Sequence, residues 1–281
     1  MPQWREMSDA ARSKAYSPSS ILPVGELEQQ IQNYEDNSNA AYAAFPNTQT
    51  ISYGDKVSNT IDIAIPEQDK PVPLLVFLHG GYWQQLSKKE SFFPAIQTLP
   101  RGIAFATIDY TLAPLATIDE IVDECRSALT MLVKDAHKLN IDPNRFVLSG
   151  SSAGAHLAAM CCLKLPPAFT PSGIVLMSGI YELAPLVGTY INDAVGMNIV
   201  CADRNSPSLA NLGNFPKSVI TWGKQETDEF KRQSQYFANL LAAQHRQVET
   251  VEMKHRNHFD IVDDLANNSV LGQKTAALLG C

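Results

Sequence analysis

This 281-residue sequence predicts an α/β fold: a mostly parallel central sheet with helices on both faces. Three observations carry that reading. Continuous apolar runs such as Leu74-Leu75-Val76-Phe77-Leu78 suit strands buried on both faces, where no polar alternation is needed. The runs alternate with longer segments of helical periodicity, the order expected of βαβ units. Finally, Val147-Leu148-Ser149 passes directly into Gly150-Ser151-Ser152-Ala153-Gly154 and then into an Ala- and Leu-rich segment. A strand that turns sharply into a helix at its carboxyl end is where open α/β sheets build their sites.

The elements follow in order. Residues 1–48 are polar and uneven, with a helix predicted over Val24 to Ala44. Strands are predicted at Thr50 to Tyr53 and at Thr60 to Ile65, the second alternating through Ile61, Ile63 and Ile65. Leu74 to Leu78 and Ala104 to Asp109 are the next two. From Ile118 to Asn140 the apolar residues Ile118, Ile121, Val122, Cys125, Leu129, Leu132, Val133, Ala136 and Leu139 recur at helical spacing, and Thr117 with Glu120 forms a capping box. Strands at Arg145 to Ser149, Ile174 to Ser178, Ser218 to Thr221 and Val248 to Met253 complete the sheet. Helices are expected over Ala153 to Lys164 and Phe230 to His245. There is no internal repeat and no low-complexity linker, so residues 1–281 read as a single domain. Residues 1–48 and 179–216 are expected to contribute a cap over the site. The second has Pro and Gly but weak periodicity.

Composition removes several function classes. The net charge is −7, from 29 acidic and 22 basic residues, which argues against a nucleic-acid partner. No apolar run reaches the length of a membrane span, and the start of the chain lacks the apolar core of a signal peptide, so no membrane partner is expected. The five cysteines, Cys125, Cys161, Cys162, Cys201 and Cys281, are odd in number and show no metal-ligand spacing. They read as reduced thiols in a cytoplasmic protein, with no metal and no cofactor implied.

The chemistry concentrates in three loops. In Gly150-x-Ser152-x-Gly154 the turn leaves no room for side chains on either flank, so the Ser152 hydroxyl stands clear as a candidate nucleophile. After the strand Leu74 to Leu78 comes His79-Gly80-Gly81-Tyr82-Trp83. Backbone N–H groups of Gly80, Gly81 and Tyr82, with that of Ala153 after the nucleophile, are candidate oxyanion donors. His79 is expected to be structural. A serine nucleophile needs a base, and the base needs an orienting acid. His258 follows the last strand and is the candidate base, with His255 as its rival. A His255/His258 metal pair lacks a third ligand. Glu226, just past the strand Ser218 to Thr221, is the candidate acid, with Asp228 two residues on as the alternative. Tyr82, Trp83 and Tyr181 are candidate aromatic walls for substrate, although buried aromatic residues more often serve the core.

The combination resembles the α/β-hydrolase superfamily and, within it, the arylformamidase (kynurenine formamidase) and esterase group. The residues that carry the likeness include His79-Gly80-Gly81-Tyr82-Trp83, Gly150-Ser151-Ser152-Ala153-Gly154, Tyr16-Ser17-Pro18-Ser19 and Ser178-Gly179-Ile180-Tyr181-Glu182-Leu183. Tyr190-Ile191-Asn192-Asp193-Ala194 and Glu229-Phe230-Lys231-Arg232-Gln233-Ser234 add to it, and Asp109-Tyr110-Thr111-Leu112-Ala113-Pro114 is similar to the hormone-sensitive-lipase-like branch. The resemblance implies an α/β-hydrolase fold and a serine hydrolase acting on an aromatic small molecule, an N-formyl aryl amide or a short-chain ester, through an acyl-enzyme. It also marks one departure, since the group usually has Asp as the triad acid and this chain offers Glu226. A general carboxylesterase or amidase and a non-catalytic binding module are the competing classes. The module would be expected to have lost part of the triad, and here a serine, a histidine and an acid are all present.

Overall fold

The structure, a computed structural model, describes residues 3–281. In chain order its elements are α1 (Asp9–Ala15), α2 (Glu26–Ala44), β1 (Gln49–Ser52), β2 (Thr60–Ala64), β3 (Val72–Leu78), α3 (Ala95–Thr98), β4 (Ala104–Ile108), α4 (Ile118–Lys134), β5 (Ile141–Ser151), α5 (Ala153–Lys164), β6 (Gly173–Met177), α6 (Asn192–Val195), α7 (Ile199–Arg204), β7 (Ser218–Gln225), α8 (Asp228–Ala243), β8 (Val248–Asn257) and α9 (Val270–Leu278). The strands form one eight-stranded sheet in the order β1-β2-β4-β3-β5-β6-β7-β8. The β1–β2 and β2–β4 pairs are antiparallel, and all pairs from β4 through β8 are parallel. This is the α/β-hydrolase arrangement.

The central strands are apolar because both faces are covered. Every residue of β3, β4 and β6 is buried. One core cluster joins α4, α5 and α8 to one face, and a second joins α2, α9 and the segment around Ile261 to the other. Helix α5 is buried along most of its length, which explains its small and apolar composition. Thr117 and Glu120 make the expected reciprocal cap on α4, the Thr117 N–H donating to Glu120 at 2.8 Å.

Several boundaries differ from expectation; β5 begins earlier, at Ile141, and β7 runs on to Gln225. Helix α4 ends at Lys134 rather than Asn140: the chain turns there, and Asn140 at φ 51° leads into β5. Ala136 stays buried in the turns, so its helical spacing reported burial rather than continued helix. Helix α2 begins at Glu26, after Gly25 at φ 85°. Strand β8 runs on to Asn257, so His255 lies within a strand, exposed, rather than in a loop. As the edge strand, β8 is mostly exposed or half-exposed, so its polar half was invisible to an apolar pattern. Among the described residues no helix is long and apolar enough to cross a membrane.

Candidate active site

Ser152 sits between β5 and α5 at φ 55° and ψ −119°, a backbone conformation costly for a non-glycine residue. Its surroundings hold it there. The Ser152 N–H donates to the Met177 carbonyl at 2.8 Å. The flanking glycines are a steric requirement: a Cβ on Gly150 would collide with the Gly154 carbonyl, and one on Gly154 with the Leu78 carbonyl. Gly80 is similarly tight, since its Cβ would lie 3.0 Å from the Ser151 carbonyl oxygen and 3.3 Å from the Ser152 Cβ. Close approach of the β3 and β5 loops therefore places Gly80 against the serine.

The candidate acid and the candidate base meet. His258 Nδ1 lies 3.1 Å from Glu226 Oε2, with both residues buried. The other carboxylate oxygen, Oε1, accepts from the Ser178 hydroxyl at 2.6 Å and from the Gly223 N–H. Glu226 is thus oriented through both oxygens. Asp228 is exposed and pairs with Lys231 at 2.9 Å, away from His258. The turn that presents His258 is itself tied: the Asn257 N–H donates to Asp260 Oδ1 at 2.6 Å, and Asn257 Oδ1 accepts from the N–H groups of Phe259 and Asp260. Burial among these groups raises the Asp260 carboxyl above its usual range. Phe230 packs on the His258 ring at 4.3 Å between centroids.

Ser152, His258, Gly80, Gly81 and Tyr82 line one cavity of about 290 Å³. Ala153 is fully buried behind it, its N–H opening the first turn of α5. His79 is buried and stacks on Tyr110 at 4.1 Å, with its Nδ1 at 2.9 Å from the Gly80 carbonyl, so its place is in the frame of the loop. The expected aromatic walls are corrected. Tyr82 lines the cavity, but Trp83 and Tyr181 do not, because the core consumes both. The Trp83 indole N–H donates to His156 Nδ1 at 3.2 Å, and Tyr181 stacks on Phe237 at 4.3 Å. The walls are instead Tyr34 from α2, Phe77 from β3, Phe93, Tyr190 and Phe259. Pro18, Ser19, Leu27 and Ile31 line the cavity from the leading segment, and Tyr190 and Ile191 from the 179–216 segment. Pro18, Ser19, Tyr190 and Ile191 fall in segments that carry the resemblance, whereas Tyr34, Phe77, Phe93 and Phe259 belong to no chemical motif, and periodicity had no means of selecting them.

The chain is similar to known proteins along most of its length. The BD-FAE family profile matches residues 61–167. A kynurenine formamidase of Danio rerio is 29% identical, the match covering 96% of each chain, and one of Salmo salar is 28% identical over 95% of each. Among solved structures, a Silicibacter protein provisionally designated a thioesterase is 26% identical with a TM-score of 0.82, covering 95% of this chain and 98% of that one. A thermophilic carboxylesterase from a metagenomic library shares the fold at 18% identity, with a TM-score of 0.74 and coverage of 90% and 96%. The chain accordingly has the α/β-hydrolase fold and is a hydrolase enzyme, of the formamidase and esterase type.

Proposed function

We propose that this chain is a serine hydrolase that cleaves N-formyl aryl amides or short-chain carboxylic esters through Ser152, His258 and Glu226. The observation that carries the reading is the bond from Nδ1 of His258, which lines the cavity with Ser152, to a doubly oriented Glu226 behind it. Glu226 keeps the Nδ1 proton in place, so Nε2 is the basic nitrogen. Ser152 Oγ attacks the substrate carbonyl as His258 takes its proton. The tetrahedral oxyanion then forms against the N–H groups of Ala153 and the Gly80–Tyr82 loop, where one donor contributes roughly 3 to 4 kcal/mol. Collapse expels the amine or alcohol with the proton from His258 and leaves acyl-Ser152. Water, activated by the same histidine, releases the acid.

The cavity supports an aromatic leaving group. Tyr34, Phe93 and Phe259 supply apolar aromatic surface, and Tyr34 and Phe93 stack on each other at 5.7 Å. The leading segment and residues 179–216 act as the cap over this space, and a formyl or acetyl group needs little room on the acyl side. The test is kcat/KM for N-formylkynurenine beside p-nitrophenyl esters from acetate to octanoate. The expected profile peaks at the shortest acyl chains and includes formamide cleavage. A maximum at octanoate with no formamide cleavage would leave a general carboxylesterase.

A further inference from the structure

Two residues of the oxyanion loop, Tyr82 at φ 51° and Trp83 at φ 60°, hold left-handed backbone conformations without being glycine. Such residues persist only where the surroundings over-determine them. Trp83 is held through its indole N–H by His156. The Tyr82 hydroxyl donates to the backbone carbonyl of Tyr16 at 2.5 Å, across 66 residues of chain.

Tyr16 is fully buried, and the bonds around it are saturated. Its hydroxyl donates to Glu229 Oε2 at 2.6 Å and accepts from Arg232 and from Gln233 Nε2, each at 3.2 Å. Gln233 spends its remaining capacity on the backbone of Tyr181 and Glu182. The preceding carbonyl, that of Ala15, accepts from the Thr227 hydroxyl at 2.7 Å. Thr227 adjoins Glu226, and Glu229 is three residues beyond it. The dipeptide Ala15-Tyr16 therefore bridges the acid loop and the oxyanion loop. Phe230 fills the space between: its ring lies 6.3 Å from that of Tyr16, 6.5 Å from that of Tyr82 and 4.3 Å from that of His258.

We infer that Tyr16 and Glu229 are positioning residues, a buried latch that fixes the Tyr82 end of the oxyanion loop relative to His258. The leading segment then belongs to the catalytic assembly and is more than a lid. This inference rests on the proposed Ser152 chemistry. Its distinguishing consequence concerns a substrate too small to reach Pro18 or Ser19. If the segment only walls the cavity, its loss raises KM for bulky substrates and leaves the turnover of p-nitrophenyl acetate intact. If it positions the loop, kcat for p-nitrophenyl acetate falls while KM changes little, because the oxyanion donors act in the transition state.

The experiment measures kcat and KM for p-nitrophenyl acetate in Tyr16→Phe, Glu229→Gln, Tyr82→Phe and the Tyr16→Phe/Tyr82→Phe double variant. Ile61→Val, a core change in β2 outside the cavity, serves as the stability control. The expected result is a kcat loss of at least about tenfold in each single latch variant, beyond any loss in the control, and a double variant no worse than the more damaged single, as for residues acting through one link. Tyr82→Phe leaves the Tyr16 network intact, so it tests the same link if Tyr16→Phe does not fold. Single variants within about twofold of wild type in kcat, or losses that multiply in the double variant, would overturn the latch. Full activity in Ser152→Ala would instead overturn the reading on which it rests.

Discussion

Ser152 and Ser151 are adjacent and both lie in the cavity wall, yet only Ser152 occupies the apex of the turn, at φ 55°. Ser152→Ala is expected to lower kcat by roughly 10⁴ to 10⁶ with the fold intact, and Ser151→Ala to be nearly silent. Steady-state kinetics with a circular-dichroism check on folding decides this, and the reverse pattern would mean that the turn is misread. The acid is a sharper case. The sequence favours Glu226 and keeps Asp228, two residues on, as the alternative; in the structure Glu226 is buried against His258 and Asp228 extends into solvent beside Lys231. Glu226→Gln keeps the shape and leaves an amide where the imidazole N–H needs a carboxylate. It should lower kcat by roughly 10⁴, as expected for a misoriented base, whereas Asp228→Asn should remain close to wild type. Loss confined to Asp228→Asn would reverse the assignment.

At the scale of elements, α5 carries a second device besides the candidate nucleophile at its N-cap. His156, one turn after Ser152, is fully buried; it accepts from the Trp83 indole through Nδ1 and donates through Nε2 to the Asn205 carbonyl at 2.7 Å. One imidazole thus ties the oxyanion loop to the segment after α7. That role requires the neutral ring. Burial, assisted by the Lys164 charge and opposed by the Asn205 bond, lowers its pKa to about 4 from 6.5. The unfolded chain therefore binds the proton more readily than the native one between those two values. The stabilising contribution is complete above pH 6.5, declines as the pH falls through this window and is gone below about 4, by up to roughly 3 kcal/mol. Chemical denaturation at pH 7, 5.5 and 4 should show this decline in wild type. His156→Gln, which can supply the same donor and acceptor without titrating, should show a correspondingly shallower decline. Identical pH slopes in the two proteins would remove His156 from the account of acid sensitivity.

Across the whole molecule, the cavity is assembled from distant parts of the chain: Pro18 to Tyr34, the β3 loop, the β5 elbow, Tyr190 and the turn after β8. Deleting residues 1–20 is a test at this scale. On sequence grounds the segment was a candidate cover, so its loss would raise KM for a bulky aryl substrate more than for a small ester. The structure adds a second consequence, because the deletion also strips Tyr16 from buried Glu229 and Gln233 and removes the acceptor of the Tyr82 hydroxyl. The truncated protein should show a raised KM for the aryl substrate, a lowered kcat for p-nitrophenyl acetate and a depressed melting temperature. Unchanged kinetics on both substrates would reduce the segment to a tail.

What the sequence determined by itself is whatever rests on local chemistry. Strands buried on both faces must be apolar along their length, a sharp elbow must have glycine on both sides of its serine, and an amphipathic helix must repeat its apolar residues, so the sheet, Ser152, the Gly80-Gly81 loop and α4 were legible. His258 was legible too, because a loop after the last strand of this fold returns to the elbow. The tertiary structure decided matters that depend on which surfaces meet. Burial separated Glu226 from Asp228, and it withdrew Trp83 and Tyr181 from the cavity into the core. It also brought Tyr16 within bonding distance of residues 66 and 213 positions away, Tyr82 and Glu229. Spacing along the chain carries no trace of such contacts, because they arise only when separate elements dock and buried polar groups have to find partners.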